Sequence, residues 1–137
     1  IIFTNRRDQA VWLSIKLISN GLKSSMLSGA ISQKKRLSIL EDFRLSKIKI
    51  LVATDVAGRG IHIDGISHVI NFNIPENPED YVHRIGRTGR AGAAGKSITF
   101  ACEIESFELP KIEKLLGKEL KCSLPPNYLL EKNWEIN

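Results

Sequence analysis

Tyr81-Val82-His83-Arg84-Ile85-Gly86-Arg87-Thr88-Gly89-Arg90 is the stretch around which the rest of the chain is organised. Three arginines fall within seven residues, interleaved with Gly86 and Gly89 and preceded by His83. The glycines permit a tight turn that keeps the guanidinium groups close together. A guanidinium donates hydrogen bonds in pairs from a planar fork, which suits phosphate oxygens. Clustering three like charges is costly unless an anion sits among them. The alternative is a solvated basic loop; the glycine spacing and the upstream residues favour phosphate chemistry.

Upstream lie Val52-Ala53-Thr54-Asp55-Val56-Ala57-Gly58-Arg59-Gly60 and the pair Gln33 and Arg36. His83 to Arg90 resembles, letter for letter, the sixth conserved motif of the DEAD-box RNA helicases. Residues 52–60 resemble that family's fifth motif, and Gln33-x-x-Arg36 the motif between its fourth and fifth. All three follow the family's order, and the resemblance runs from residue 1 to about residue 102. The Gly95-Lys96-Ser97-Ile98 segment and His62 are most similar to the bacterial degradosome-associated group.

The chain has 137 residues, 42% of them hydrophobic, and a net charge of +5. That is the size of a single domain with a sizeable core. The basic balance suits a polyanionic partner without requiring one. Cys102 and Cys122 give neither a disulfide framework nor a metal-binding spacing, so a reducing, cytoplasmic setting is expected. Cys102 follows the apolar run Ser97 to Ala101 and reads as a small core residue. No run approaches the ~18 apolar residues of a membrane span, so no membrane association is expected. The chain opens in Ile1-Ile2-Phe3, which reads as a strand cut at its start.

Strand and helix signals alternate from there. Asn5 reads as a helix cap, followed by an apolar stripe of Ala10, Val11, Leu13, Ile15, Leu17 and Ile18 that faces away from Trp12. Leu22 to Leu27 is a weak second strand, and Ser32 caps a helix that buries Leu37, Ile39, Leu40 and Phe43. Ile48 to Ala53 has the continuous apolar character of a central parallel strand. His68 to Phe72 is a fourth strand; Asn77-Pro78 caps and opens the helix that carries His83 and Arg84. Ser97 to Cys102 is a fifth strand, and a last helix buries Leu109, Ile112, Leu115 and Leu116 before stopping at Gly117. The expected fold is α/β, an open and mainly parallel RecA-like sheet with helices on both faces. Residues 1–117 form that domain, and 118–137 a C-terminal extension. Ligands of such sheets bind beyond the C-terminal strand ends, so Asn5, Gly29, Thr54 and the 86–90 loop should gather on one edge.

The resemblance implies a role for each matching residue. Arg87 and Arg90 act as arginine fingers on the γ-phosphate of ATP, with His83 in the same catalytic group. Arg84 couples to the acidic motif of a second, N-terminal RecA-like domain and, with Gly60 and His62, serves the nucleotide. Asn5, Arg7, Gly29, Gln33, Arg36, Thr54, Asp55 and Gly58 contact the RNA backbone. Gly58 and Gly60 admit a close backbone approach, or make the turn. Gly95-Lys96-Ser97 is not a P-loop: the glycine needed five residues earlier is Arg90, and the segment opens a strand. With neither a P-loop nor an Asp-Glu-Ala-Asp motif, ATP and its Mg²⁺ are expected on the N-terminal domain.

Three departures from the family pattern stand out. His62 replaces the usual Asp, trading a fixed negative charge for an imidazole that can still hydrogen-bond a hydroxyl. Arg6 replaces a Thr and adds positive charge where RNA should run. Ala30 replaces an Asp beside Gly29. The function implied is the C-terminal half of an ATP-dependent RNA helicase, inactive alone. The alternative is a non-enzymatic module of the same fold that docks an endoribonuclease scaffold through its last helix or tail.

Overall fold

A computed structural model describes residues 1–89 and 94–130. Five parallel strands form one sheet: β1 (Ile2–Thr4), β2 (Ser24–Leu27), β3 (Ile50–Thr54), β4 (His68–Asn71) and β5 (Lys96–Thr99), in the order β2-β3-β1-β4-β5. The expected parallel architecture is present: β3 is an interior strand paired on both sides, and β1 lies between it and β4. Phe3 lies between Ala53 and Asn71 in register.

Successive side chains of a strand point to opposite faces. Phe3, Leu51, Ala53 and Val69 pack on one face with Ile39 of α2 (Gln33–Arg44) and with Ala57 and Ile61. Ile2 and Val52 pack on the other with Ala10, Leu13 and Leu17 of α1 (Arg7–Ser19). Burial on both faces explains the near-continuous apolar runs. A separate cluster of Ile74, Tyr81 and Ile112 joins α4 (Pro78–Ile85) to α5 (Leu109–Leu116). One short helix, α3 (Asp55–Gly58), follows β3 directly where the sequence suggests only a strand-end turn.

Local capping chemistry is as expected at three helix ends. Ser32 Oγ accepts from Lys35 N (3.2 Å) at α2, and Asn77 Oδ1 accepts from Glu79 N (3.0 Å) at α4, where Pro78 fills the first turn. Gly117 closes α5 at φ 69°, the left-handed conformation that favours glycine.

Several expectations are corrected. The α1 cap position belongs to Arg6, without a side-chain cap bond; Asn5 is used elsewhere. The stripe of α1 is narrower than its apolar residues suggest, for Ile15 and Ile18 are 61% and 56% exposed while Ser14 is buried. Leu37 and Leu115 are likewise exposed. Cys102 is not a core residue: β5 is a short edge strand with little cover, and Cys102 lies beyond its end, exposed like Cys122.

Candidate nucleotide and RNA interface

All five strands are parallel, so their C-terminal ends share one edge. The Thr4↔Thr54 register sets Asn5 beside Asp55 at that edge. Helix α4 brings Arg84 between them. On α4, Tyr81 and Arg84 lie three residues apart on the buried side, while Val82 and His83 face out.

Arg84 is 1% exposed, the largest side chain in the core. Its Nε and Nη2 donate to the two carboxylate oxygens of Asp55, both at 2.6 Å. Nη2 also donates to Asn5 Oδ1 (2.8 Å), and Nη1 to the carbonyl of Asn73 (2.9 Å). The Phe3 ring lies under the guanidinium, its centroid 5.5 Å away. Asn5 completes the knot by donating to Ile74 O (2.8 Å) through its amide, while its backbone N–H bonds Asn73 Oδ1 (3.0 Å). Asn73 and the backbone N–H of Ile74 in turn bond Glu105. Three residues expected at ligands are therefore turned inward. Arg84 is a buried positioning group in this structure, with four of its five N–H donors bonded within the fold. Asn5 and Asp55 are its acceptors.

Beside this knot opens a cleft of ≈ 210 Å³, whose lining includes Gly58, Arg59, Asp80, His83 and Arg87. Arg87, half-buried, donates from Nη1 to Ile61 O (2.8 Å). Thr88 Oγ1 donates to Ile66 O (2.5 Å), and Gly89 turns at φ 70°, so the loop is tied to the segment after α3. Arg36 Nη2 reaches Arg59 O (3.3 Å), which connects the start of α2 to the same segment. Gly60 has φ 75°, a turn requirement. Gly58 has no positive φ to require glycine, but a Cβ there would lie 2.6 Å from Phe3 Cε1, so packing against Phe3 favours glycine in this part of the cleft lining. Thr54 occupies the α3 cap position, half-buried and without a side-chain cap bond.

The structure thus brings Asn5, Asp55 and Arg84 into one knot and Gly58, His83 and Arg87 into one cleft. Arg7, Gly29, Gln33 and His62 are exposed and outside the cleft lining. Arg90 lies outside the described residues. The charge that Arg6 adds is largely met by Asp8: two hydrogen bonds of 2.9 and 2.7 Å from the guanidinium hold the Asp8 carboxyl below its usual range. Sequence reasoning misses Phe3, Arg59, Asn73, Asp80 and Glu105. Only Arg59 carries a signal, as part of the Gly-Arg-Gly turn. Among the described residues no cluster of three His, Cys, Asp or Glu could hold a metal ion, and no helix is long and apolar enough to cross a membrane.

A parallel sheet whose C-terminal edge carries a buried Arg–Asp knot and a tethered arginine loop has the form of a RecA-like helicase domain. The family model for the helicase conserved C-terminal domain matches residues 1–92. The ATP-dependent RNA helicase RhlB of Pseudomonas putida is 58% identical over 131 residues, covering 96% of this chain and 33% of that protein. The E. coli DEAD-box protein SrmB, in a crystal structure bound to regulator of ribonuclease activity A, superimposes with TM-score 0.85 at 34% identity, covering 90% of this chain and 73% of that one. Domain 2 of the DEAD-box helicase Mss116p, bound to an RNA duplex, gives TM-score 0.79 at 28% identity, covering 93% and 52%. The chain belongs to the DEAD-box family, as its conserved C-terminal helicase domain. It spans about a third of the length of the curated relatives it matches.

Proposed function

We propose that this domain is one half of a two-domain, ATP-dependent RNA helicase and completes an ATP site held mainly by the other half. One observation carries the reading: Arg87 is tethered through Ile61 O in a cleft that also holds Arg59 and His83, at the sheet edge where ligands of this architecture bind. These side chains suit a triphosphate, whose charge is dispersed by preorganised donors. The sequence carries neither a P-loop nor an Asp-Glu-Ala-Asp motif, and on this reading Mg²⁺ is held with ATP by the N-terminal domain. ATP supplies the phosphoryl group when bound. This chain contributes the Arg87 guanidinium, with Arg90 from the same loop, where negative charge builds. The buried Arg84–Asp55 pair keeps the helix that presents them in place.

RNA would run along the same edge over Arg36, Thr54 and the start of α2. Contacts of that kind read the phosphate backbone rather than base sequence. In the full-length protein, Arg87→Ala should lower RNA-stimulated ATP turnover ~10³-fold or more, as expected for an arginine finger, with RNA affinity nearly retained. Arg90→Ala should act in the same direction. Wild-type turnover in Arg87→Ala would remove the role assigned to the loop.

A second reading is favoured by the exposed apolar side chains after β5: Ile104, Phe107, Leu124 and Tyr128 are 81%, 77%, 92% and 70% exposed. Surface of that kind marks protein contacts, and SrmB is bound to a ribonuclease regulator in its structure. This surface would take a segment of an endoribonuclease scaffold. Pull-down of that scaffold with and without residues 118–137 separates docking on the tail from docking elsewhere.

A further inference from the structure

Asp80 stands in the wall of the cationic cleft without any part in the Arg84 knot. Its Oδ1 lies 3.7 Å from Arg59 Nη2 and 3.9 Å from His83 Nδ1. The Asp80 side chain is only 19% exposed, whereas those of Arg59 and His83 are 68% and 63% exposed. Asp80 also lines the neighbouring polar cleft bounded by Asn5, Asn73 and Glu105. It sits in the first turn of α4, where a carboxylate would favour the positive end of the helix even with no cationic partner. Its position is therefore fixed by the helix, while the two side chains it attracts remain largely in solvent.

The two ion pairs at this edge differ in kind. Arg84 and Asp55 meet through two 2.6 Å hydrogen bonds with the arginine fully buried, so their pairing is part of the folded core. The contacts of Asp80 are long and its partners hydrated. Exposed pairs of this sort change an equilibrium constant by roughly two- to fivefold. Such a contact is exchangeable: an oxyanion of higher charge density can take over Arg59 and accept a hydrogen bond from His83.

We infer that Asp80 is a resident counter-anion, which holds Arg59 and His83 in the cleft without a ligand and yields them to a phosphate oxyanion. The inference rests on the composite-site reading and adds a positioning residue to it. It lowers affinity for phosphate slightly, and in exchange keeps two solvent-exposed side chains at the cleft before the ligand arrives. The phosphate can come from nucleotide or from RNA, and the two sources are separable.

The test uses the full-length protein with two probes, a non-hydrolysable ATP analogue and single-stranded homopolymeric RNA, each titrated by fluorescence anisotropy. Asp80→Asn should tighten binding about two- to fivefold for the probe whose phosphate Asp80 mimics. Asp80→Glu should restore the wild-type value, and in an Arg59→Ala, His83→Ala background Asp80→Asn should add nothing. Asp80→Ser is a second neutral variant with the same expectation, should the asparagine impair folding. Unchanged or weakened binding of both probes in these variants overturns the inference, as does a gain that survives removal of both Arg59 and His83. Failure of the composite site shows separately, as wild-type turnover in Arg87→Ala.

Discussion

Removing the Asp55 carboxylate should cost this fold more than removing the arginine it pairs with. In Asp55→Ala the Arg84 guanidinium stays 1% exposed and loses both of its 2.6 Å charge-assisted bonds, leaving only the neutral acceptors Asn5 Oδ1 and Asn73 O. Stranding one member of a buried pair costs about 3–5 kcal/mol. In Arg84→Met the survivor is Asp55, whose side chain is 22% exposed and can take water. The cost there comes mainly from the stranded Asn73 carbonyl, about 1–3 kcal/mol. The double variant should be less destabilised than the sum of the two, by roughly 0.5–3 kcal/mol. Against a typical total of about 5–15 kcal/mol, Asp55→Ala removes a large share of the stability. Urea unfolding followed by far-UV circular dichroism measures all three, with a constant m-value as the condition for comparing midpoints. A loss below about 1 kcal/mol in Asp55→Ala would refute the reasoning. So would strict additivity in the double variant.

Two further outcomes test single assignments. Gly58→Ala should destabilise by about 1–3 kcal/mol through overpacking against Phe3, and Phe3→Leu should recover part of the loss. A Gly58→Ala protein of unchanged stability but reduced RNA binding would return that glycine to a ligand role. Both thiols should react with an aromatic disulfide reagent in the folded protein at rates close to that of a free thiol, because Cys102 and Cys122 are exposed. A single fast equivalent would place Cys102 in the core after all.

What the sequence makes legible is chiefly local. Ser32 and Asn77 cap helices through bonds to residues two or three positions away, and Gly117 stops a helix by its own backbone angle. Those signals lie within one turn of the residue that carries them. The parallel sheet is also within reach, since strands alternating with helices imply one, although the alternation does not give the order of the strands. The site is less so, because its decisive contacts are distant in sequence. Asn5 looks like a cap on its own helix, yet it bonds Ile74, 69 residues away. Arg84 looks like one more cation in a basic loop, yet its partner Asp55 lies 29 residues upstream. Cys102 looks buried because an apolar run does not tell an interior strand from an edge strand. In α1, too many apolar residues share the helix for the pattern to choose a face, and Ser14 takes a place that Ile15 seemed to claim.

The most direct measurement of the composite site is ATP turnover by separated halves, with RNA at saturation. This chain alone and the N-terminal portion alone should each show no multiple-turnover hydrolysis, and mixing them at high concentration should produce it. Arg87→Ala in this chain should remove that turnover. Hydrolysis by this chain alone, or a mixture indifferent to Arg87→Ala, would contradict the account.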